Sequence, residues 1–188
     1  MKKSLNKNMI VTPLSVFVIA TYDENGVPNA MNAAWGTQCD YKSVTFFLSP
    51  HKTTDNLKLK KAFTLSFATP ETLEIADYFG VESGHKLNKI EKAGVQVTKS
   101  EHVDAPVIDV FPLTLECEVV KMEESDEEIR VVGKCVNMLA DERILDEKGN
   151  VDLGKLRPIS FDSASNTYRV LGDVVGRAFY DGLKIKNK

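Results

Sequence analysis

The segment from residue 29 to residue 63 reads NAMNAAWGTQCDYKSVTFFLSPHKTTDNLKLKKAF. A run of small residues ends in the only tryptophan, a strongly apolar stretch follows, and the chain then breaks at Ser49-Pro50. Beyond the break, His-Lys-Thr-Thr-Asp-Asn opens a lysine-rich pattern with helical spacing. The segment therefore predicts two strands, a proline break and a short helix, with Thr53 or Thr54 as N-cap and Asp55 in the first turn. SVTFFLS is too apolar on both faces for a solvated edge strand.

Upstream, SVFVIATYD, the turn signal Glu24-Asn25-Gly26 and VPNAMNAAWGT predict a hairpin, because Asn-Gly suits the positive φ angles of a tight type I′ turn. Downstream, FTLSFAT reads as a strand. PETLEIADYFG reads as a helix starting near Pro70 and stopping at Gly80, and SGHKLNKIEKAG as a third short helix ending at Gly94. After residue 106 strands return. In FPLTLECEVVKMEES, Leu113, Leu115, Cys117 and Val119 alternate with Thr114, Glu116 and Glu118, as on a half-buried strand. EEIRVVGKCVNMLADERIL pairs with it across the acidic EESDEE, read as a solvated hairpin tip. ISFDSASNTYRVLGDVVGRAFYDG supplies a last strand and a tail. The sum is a mainly β single domain over residues 1–188, an antiparallel β-barrel with inserted helices.

Composition sets bounds on function. The 188 residues suffice for one packed core without a metal or disulfides, and a net charge of −3 with no basic stripe argues against a nucleic-acid partner. Cys39, Cys117 and Cys135 lie far apart with no CxxC pair, which fits a reducing compartment. The N-terminal lysines followed by apolar residues resemble the plan of a signal peptide, but Thr12, Pro13 and Ser15 interrupt that stretch and it runs into the first hairpin. No run reaches the ~18 apolar residues of a membrane span, so the chain is expected to be cytoplasmic and off the membrane.

Common catalytic patterns are missing. There is no GxGxxG, no P-loop and no GxSxG, and His51, His85 and His102 lack the spacing of metal ligands. No catalytic side chain is identified and no metal is expected. What remains is chemistry carried by a cofactor, or none. At Thr53-Thr54 a phosphate would meet backbone amides of a helix start, two hydroxyls and the Lys52 ammonium. The plainer alternative is that Thr54 only caps the helix while His51 and Lys52 face water. Trp35 is open to a plainer reading as well, as an ordinary core or interface aromatic.

Taken in order, NAMNAAWGT, LSPHKTTDNL, FATPETLEIADYFG, SGHKLNK, APVIDVFPLTLECEV and LGDVVGRAFYDG resemble the flavin reductase-like FMN-binding split-barrel family, in particular its flavoredoxin-type members. The likeness runs from about Pro13 to Gly182. It implies a six-stranded antiparallel Greek-key split barrel, a homodimer, and FMN held near the subunit interface. Residue by residue, it places Asn32, Ala33, Ala34, Trp35 and Gly36 beside the isoalloxazine. Ser49, Pro50, His51, Lys52, Thr53, Thr54 and Asn56 fall along the ribityl phosphate, and Ser83, Gly84 and Lys89 match a serine-glycine loop with its following lysine. For Ser83 the plainer role is a helix cap, and for Lys89 a solvated helix face. Asn32 departs from the family, which commonly has threonine after the methionine.

The resemblance implies an oxidoreductase in which NADH or NADPH is a transient donor to bound FMN, and a flavin, metal or protein is the acceptor. Two further readings stay open: an electron carrier of flavoredoxin type served by a protein or small-molecule donor, and a flavin-binding module without turnover. A split-barrel pyridoxine phosphate oxidase fits less well, since its substrate-binding segment has no match. Cys39, close to the ring segment, is read as a small buried residue in preference to a redox group.

Overall fold

A computed structural model describes residues 1–186 apart from 6, 8 and 127. In chain order the strands are β1 (Leu14–Ser15), β2 (Phe17–Tyr22), β3 (Pro28–Ala33), β4 (Gly36–Gln38), β5 (Ser43–Leu48), β6 (Ala62–Phe67), β7 (Val97–Lys99), β8 (Pro106–Ile108), β9 (Leu113–Glu124), β10 (Ile129–Ala140), β11 (Ile159–Asp162) and β12 (Thr167–Val170). The helices are α1 (Lys52–Lys60), α2 (Leu73–Val81), α3 (Lys89–Ala93), α4 (Leu153–Leu156) and α5 (Leu183–Lys186).

The main sheet is antiparallel, with strand order β3-β2-β6-β9-β10-β5-β4. Its two outermost members, β3 and β4, are separated in the chain by only Ala34 and Trp35. Seven strands at about 4.8 Å spacing would place the edges of a flat sheet far beyond the reach of two residues. The sheet must therefore curl until its edges come together, and the result is a half-barrel whose split lies at Ala34-Trp35. Six strands are long and the seventh, β4, has three residues, which reconciles the six-stranded expectation with the seven observed. A separate three-stranded sheet of β1, β11 and β12 stands beside the split.

The curl is filled by Phe17, Ile19, Phe46, Phe63, Leu65, Ile129 and Val131. Phe46 packs edge-on against both Phe17 and Phe63, with ring centroids 5.6 and 6.2 Å apart. Alternate residues of β2, Val18 and Ala20, face outward but are buried too, under Ala76 and Phe79 of α2 and Ile90 of α3. That is why VFVIA is apolar without alternation: one face looks into the curl and the other meets helices.

Several local expectations change. The β2–β3 connection is a loop over residues 23–27 in which only Gly26 has positive φ, so it is not a type I′ turn, which needs two such residues. Asp23 holds it, accepting from the amides of Asn25 and Val27 at 2.9 Å each. VPNAMNAAWGT is two strands, not one, because the chain crosses the split at Ala34-Trp35. The helix α2 runs one residue past Gly80. On β9 the polar face is not solvated in its first half: Thr114 bonds Ser66 at 2.8 Å, and Glu116 is buried against Ser100 and Asn137. The last strand is a hairpin, β11–β12. Cys39 is exposed in the β4–β5 connection, whereas Cys117 is buried in the curl as its strand face predicts.

Candidate functional site

Two adjoining chambers open at the split, with cavity volumes of about 410 and 210 Å³. Both share Met31, Asn32, His51, Gly80 and Val81 as wall. Together they fall in the range of small-molecule sites, ~300–1,000 Å³.

The larger chamber is bordered by Asn32, Ala33, Ala34 and Trp35 from the crossing between β3 and β4, and by Ser49 and His51 from the proline break after β5. Across from them stand Asp77 of α2 and Phe161, Asn166 and Tyr168 of the last hairpin. Trp35, Phe161 and Tyr168 form a continuous aromatic wall, with neighbouring centroids 6.1 and 6.0 Å apart. Trp35 is 58% exposed, so it is a wall residue of the cleft and not part of the core. Small side chains at Ala33 and Ala34 leave the backbone open to a flat ligand.

The smaller chamber sits at the start of α1. Lys52, Thr53, Ser83, Gly84 and Lys89 border it, with Asn29 of β3 and Glu82. The first amides of α1 lack intrahelical partners, the first such bond being Asp55 N–H to the His51 carbonyl at 3.1 Å. The Thr53 hydroxyl accepts from Asn29 Nδ2 at 2.7 Å and has no acceptor for its own proton among the described residues. Lys52 Nζ lies 3.4 Å from Asp23 and 3.9 Å from Glu24, a loose pairing that leaves donors free. Gly84 is pressed so close that a Cβ there would stand 2.1 Å from Asn29 Oδ1 and 3.3 Å from Lys52 Cβ. The loop from Ser83 is thus moulded onto β3 and α1, and its chamber offers ammoniums, amides and a hydroxyl. That donor set suits a phosphate.

Lys89 is buried in the fold, 4% exposed, and donates from Nζ to the Phe79 carbonyl at 2.8 Å. Burial pulls its pKa down to about 8, partly offset by Glu82. The solvated-face reading fails. Ser83 is no helix cap either, since Asn88 caps α3, accepting from the amides of Ile90 and Glu91. His51, not Thr53 or Thr54, is the N-cap of α1. Burial, then the charges of Lys89 and His85, lower the His51 pKa, so its ring is neutral near pH 7.

Of the residues singled out in sequence, eleven border the chambers, and Gly36, Pro50, Thr54 and Asn56 border neither. Gly36 faces an outer groove beside the N-terminal segment. Thr54 is fully buried, and its hydroxyl accepts from the His51 amide at 2.8 Å and bonds the His51 carbonyl at 2.7 Å. Asn56 donates to Thr21 at 3.0 Å inside the fold. Sequence reasoning missed Asp77, Phe161 and Tyr168. The signal available for the first was DYFG at the end of an amphipathic helix, which brings Asp77 and Gly80 to one face.

Among the described residues no cluster of acidic, His or Cys side chains has metal-site geometry, and no helix is long and apolar enough to cross a membrane. The family model described as the flavin reductase like domain matches residues 9–157. Among solved structures, the flavoredoxin of Desulfovibrio vulgaris (Miyazaki F) is 31% identical, with a TM-score of 0.91 over 97% of this chain and 100% of that one. The flavoredoxin from Methanosarcina acetivorans is 25% identical, with a TM-score of 0.88 over 98% and 99% of the two chains. An uncharacterized protein of Aquifex aeolicus is 25% identical over 159 residues, 80% of this chain and 81% of its own length. Matched in sequence over most of its length, and carrying its cleft where the curled sheet parts, the chain belongs to the flavin reductase-like domain family.

Proposed function

We propose that the cleft holds FMN, with the phosphate in the smaller chamber against Lys52, Thr53, Ser83, Gly84 and Lys89, and the ring in the larger one beside Asn32, Ala33, Ala34 and Trp35. The observation that carries this is the division of one cleft into an aromatic, small-residue chamber and a chamber with two ammonium groups at a helix start. FMN supplies, when bound, a ring that takes up two electrons and passes them on singly or as a pair. The protein needs no acid, base or nucleophile of its own; it orients the ring, excludes water from one face and holds the phosphate. Ser49, His51 and Asn32 lie where they would meet the polar edge of the ring or the ribityl chain.

The activity we assign is that of an oxidoreductase, with NADH or NADPH as transient donor stacking on the open face beside Trp35. The acceptor is a flavin, a metal or a protein. Likeness to two flavoredoxins favours a second reading, an electron carrier without nicotinamide turnover. The assembly proposed is a homodimer in the cytoplasm, since Trp35 and Phe47 at the cleft mouth leave apolar surface that a second copy would cover. The test is the visible spectrum of the purified chain, followed by NADH or NADPH without oxygen. A bound-flavin spectrum that bleaches within seconds supports the reductase. Slow bleaching with nicotinamide and rapid bleaching with a low-potential donor supports the carrier.

A further inference from the structure

Charge is distributed unevenly between the two chambers. Lys52, Lys89 and Glu82 all border the smaller one. Around the larger one, Asp77 is the single formally charged side chain among the described lining residues, with His51 neutral on the shared wall. The Asp77 carboxylate is fixed in place: Oδ1 accepts the Tyr168 hydroxyl at 2.6 Å, tying α2 to β12. Asn32 on β3 borders the same chamber and opposes the rise in the pKa of that phenol. Burial, and then the bond to Asp77, push the Tyr168 pKa up to about 12, so the hydroxyl keeps its proton and goes on donating through the neutral range. No other hydrogen bond among the described residues engages the carboxylate.

We propose that Asp77, anchored by Tyr168, is a built-in negative charge of the ring chamber that lowers the reduction potential of the bound flavin and makes the reduced protein a stronger electron donor. The inference rests on the assignment of that chamber to the flavin ring. Uptake of two electrons and one proton leaves the ring one unit more negative, and a carboxylate facing a partly desolvated chamber disfavours that gain. Tyr168 is the positioning residue: it consumes one carboxylate oxygen, keeps the side chain from turning to bulk water, and leaves the charge itself intact.

The test is reduction of the FMN-loaded protein against a reference dye of known potential, for the parent chain and for Asp77→Asn, Asp77→Ser and Asp77→Glu, with FMN affinity measured alongside. Asn and Ser remove the charge by different shapes, so both are expected to shift the two-electron equilibrium about ten-fold toward the reduced form, about 30 mV upward. Glu keeps the charge and is expected to stay near the parent. FMN affinity of the oxidised forms should change little. The proposal is overturned if Asn and Ser leave the potential unmoved while FMN stays bound, or if Glu shifts it as far as they do. A parent chain that takes up no FMN would instead overturn the ring assignment, and this proposal with it.

Discussion

At the scale of single residues, Thr53 and Thr54 are neighbours with separate tasks. Thr54 is turned inward on the His51 backbone, so Thr54→Ala should cost about 1 kcal/mol of stability, read by denaturant unfolding, and leave FMN affinity per folded molecule unchanged. Lys52→Ala and Thr53→Ala should each weaken FMN by about 1.5 to 3 kcal/mol, roughly ten- to a hundred-fold, while riboflavin binding hardly moves. Equal losses for the two ligands in fluorescence titration would remove the phosphate from this chamber. Lys89 adds a pH dependence. With its pKa drawn down to about 8, it is charged at pH 7 and largely neutral by pH 9, so the preference for FMN over riboflavin should fall across that interval. Stability of the ligand-free fold should move oppositely. Below pH 8 the folded chain carries a buried ammonium at a cost; as pH rises from about 8 toward the ordinary lysine value of 10.5, the unfolded chain binds more protons and the fold gains. Lys89→Met should abolish both trends.

At the scale of elements, the long strands were legible because their residues are apolar at the right spacing, and the helix ends because Pro70 and Gly94 punctuate them, although α3 starts only after its cap Asn88 and not at Ser83. What the residues could not disclose was the partner of each face. Glu116 and Thr114 look solvated in the alternation of β9, yet the segment around Ser100 and strand β6 cover them, and nothing local announces a cover from so far along the chain. The cleft divides in the same manner. The chamber to which we assign the phosphate was legible as a donor cluster because Lys52 and Thr53 are neighbours at one helix start, whereas Asp77, Phe161 and Tyr168 reach the other chamber from α2 and the last hairpin. Close packing inside the curl can be tested at Gly133 of β10, where a Cβ would stand 2.3 Å from the buried ring of Phe63. Gly133→Ala should destabilise the fold by about 1 to 3 kcal/mol, measured by thermal or urea unfolding, because Phe63 has no free volume to enter.

For the molecule as a whole, the family and the mainly β curled sheet follow what the ordered motifs of the sequence indicate, while the assembly is a matter for solution measurement. Val174, Val175 and Phe179 in the C-terminal segment are fully exposed, as is Tyr41 in the β4–β5 connection. A chain leaving that much apolar surface open should sediment as a dimer at micromolar concentration. A monomer that retains FMN fully would defeat both the dimer and the placement of the flavin near its interface. Dilution offers a second readout: if the interface borders the cleft, FMN release should steepen where the dimer dissociates.

The two-residue crossing at Ala34-Trp35 also governs the order in which the fold can be completed during synthesis. Residues up to 67 provide two fragments of sheet, β3-β2-β6 and β4-β5, joined on one side by the crossing and on the other by α1. The space between β6 and β5 is filled only by β9 and β10, so the curl stays open until residue 140 has left the ribosome. Until then β6 and β5 each present an unpaired edge, the form of strand most prone to pairing with another chain. The β9–β10 hairpin is therefore the wedge that closes the barrel from within, and nascent chains halted before residue 140 are the ones that should need a chaperone most.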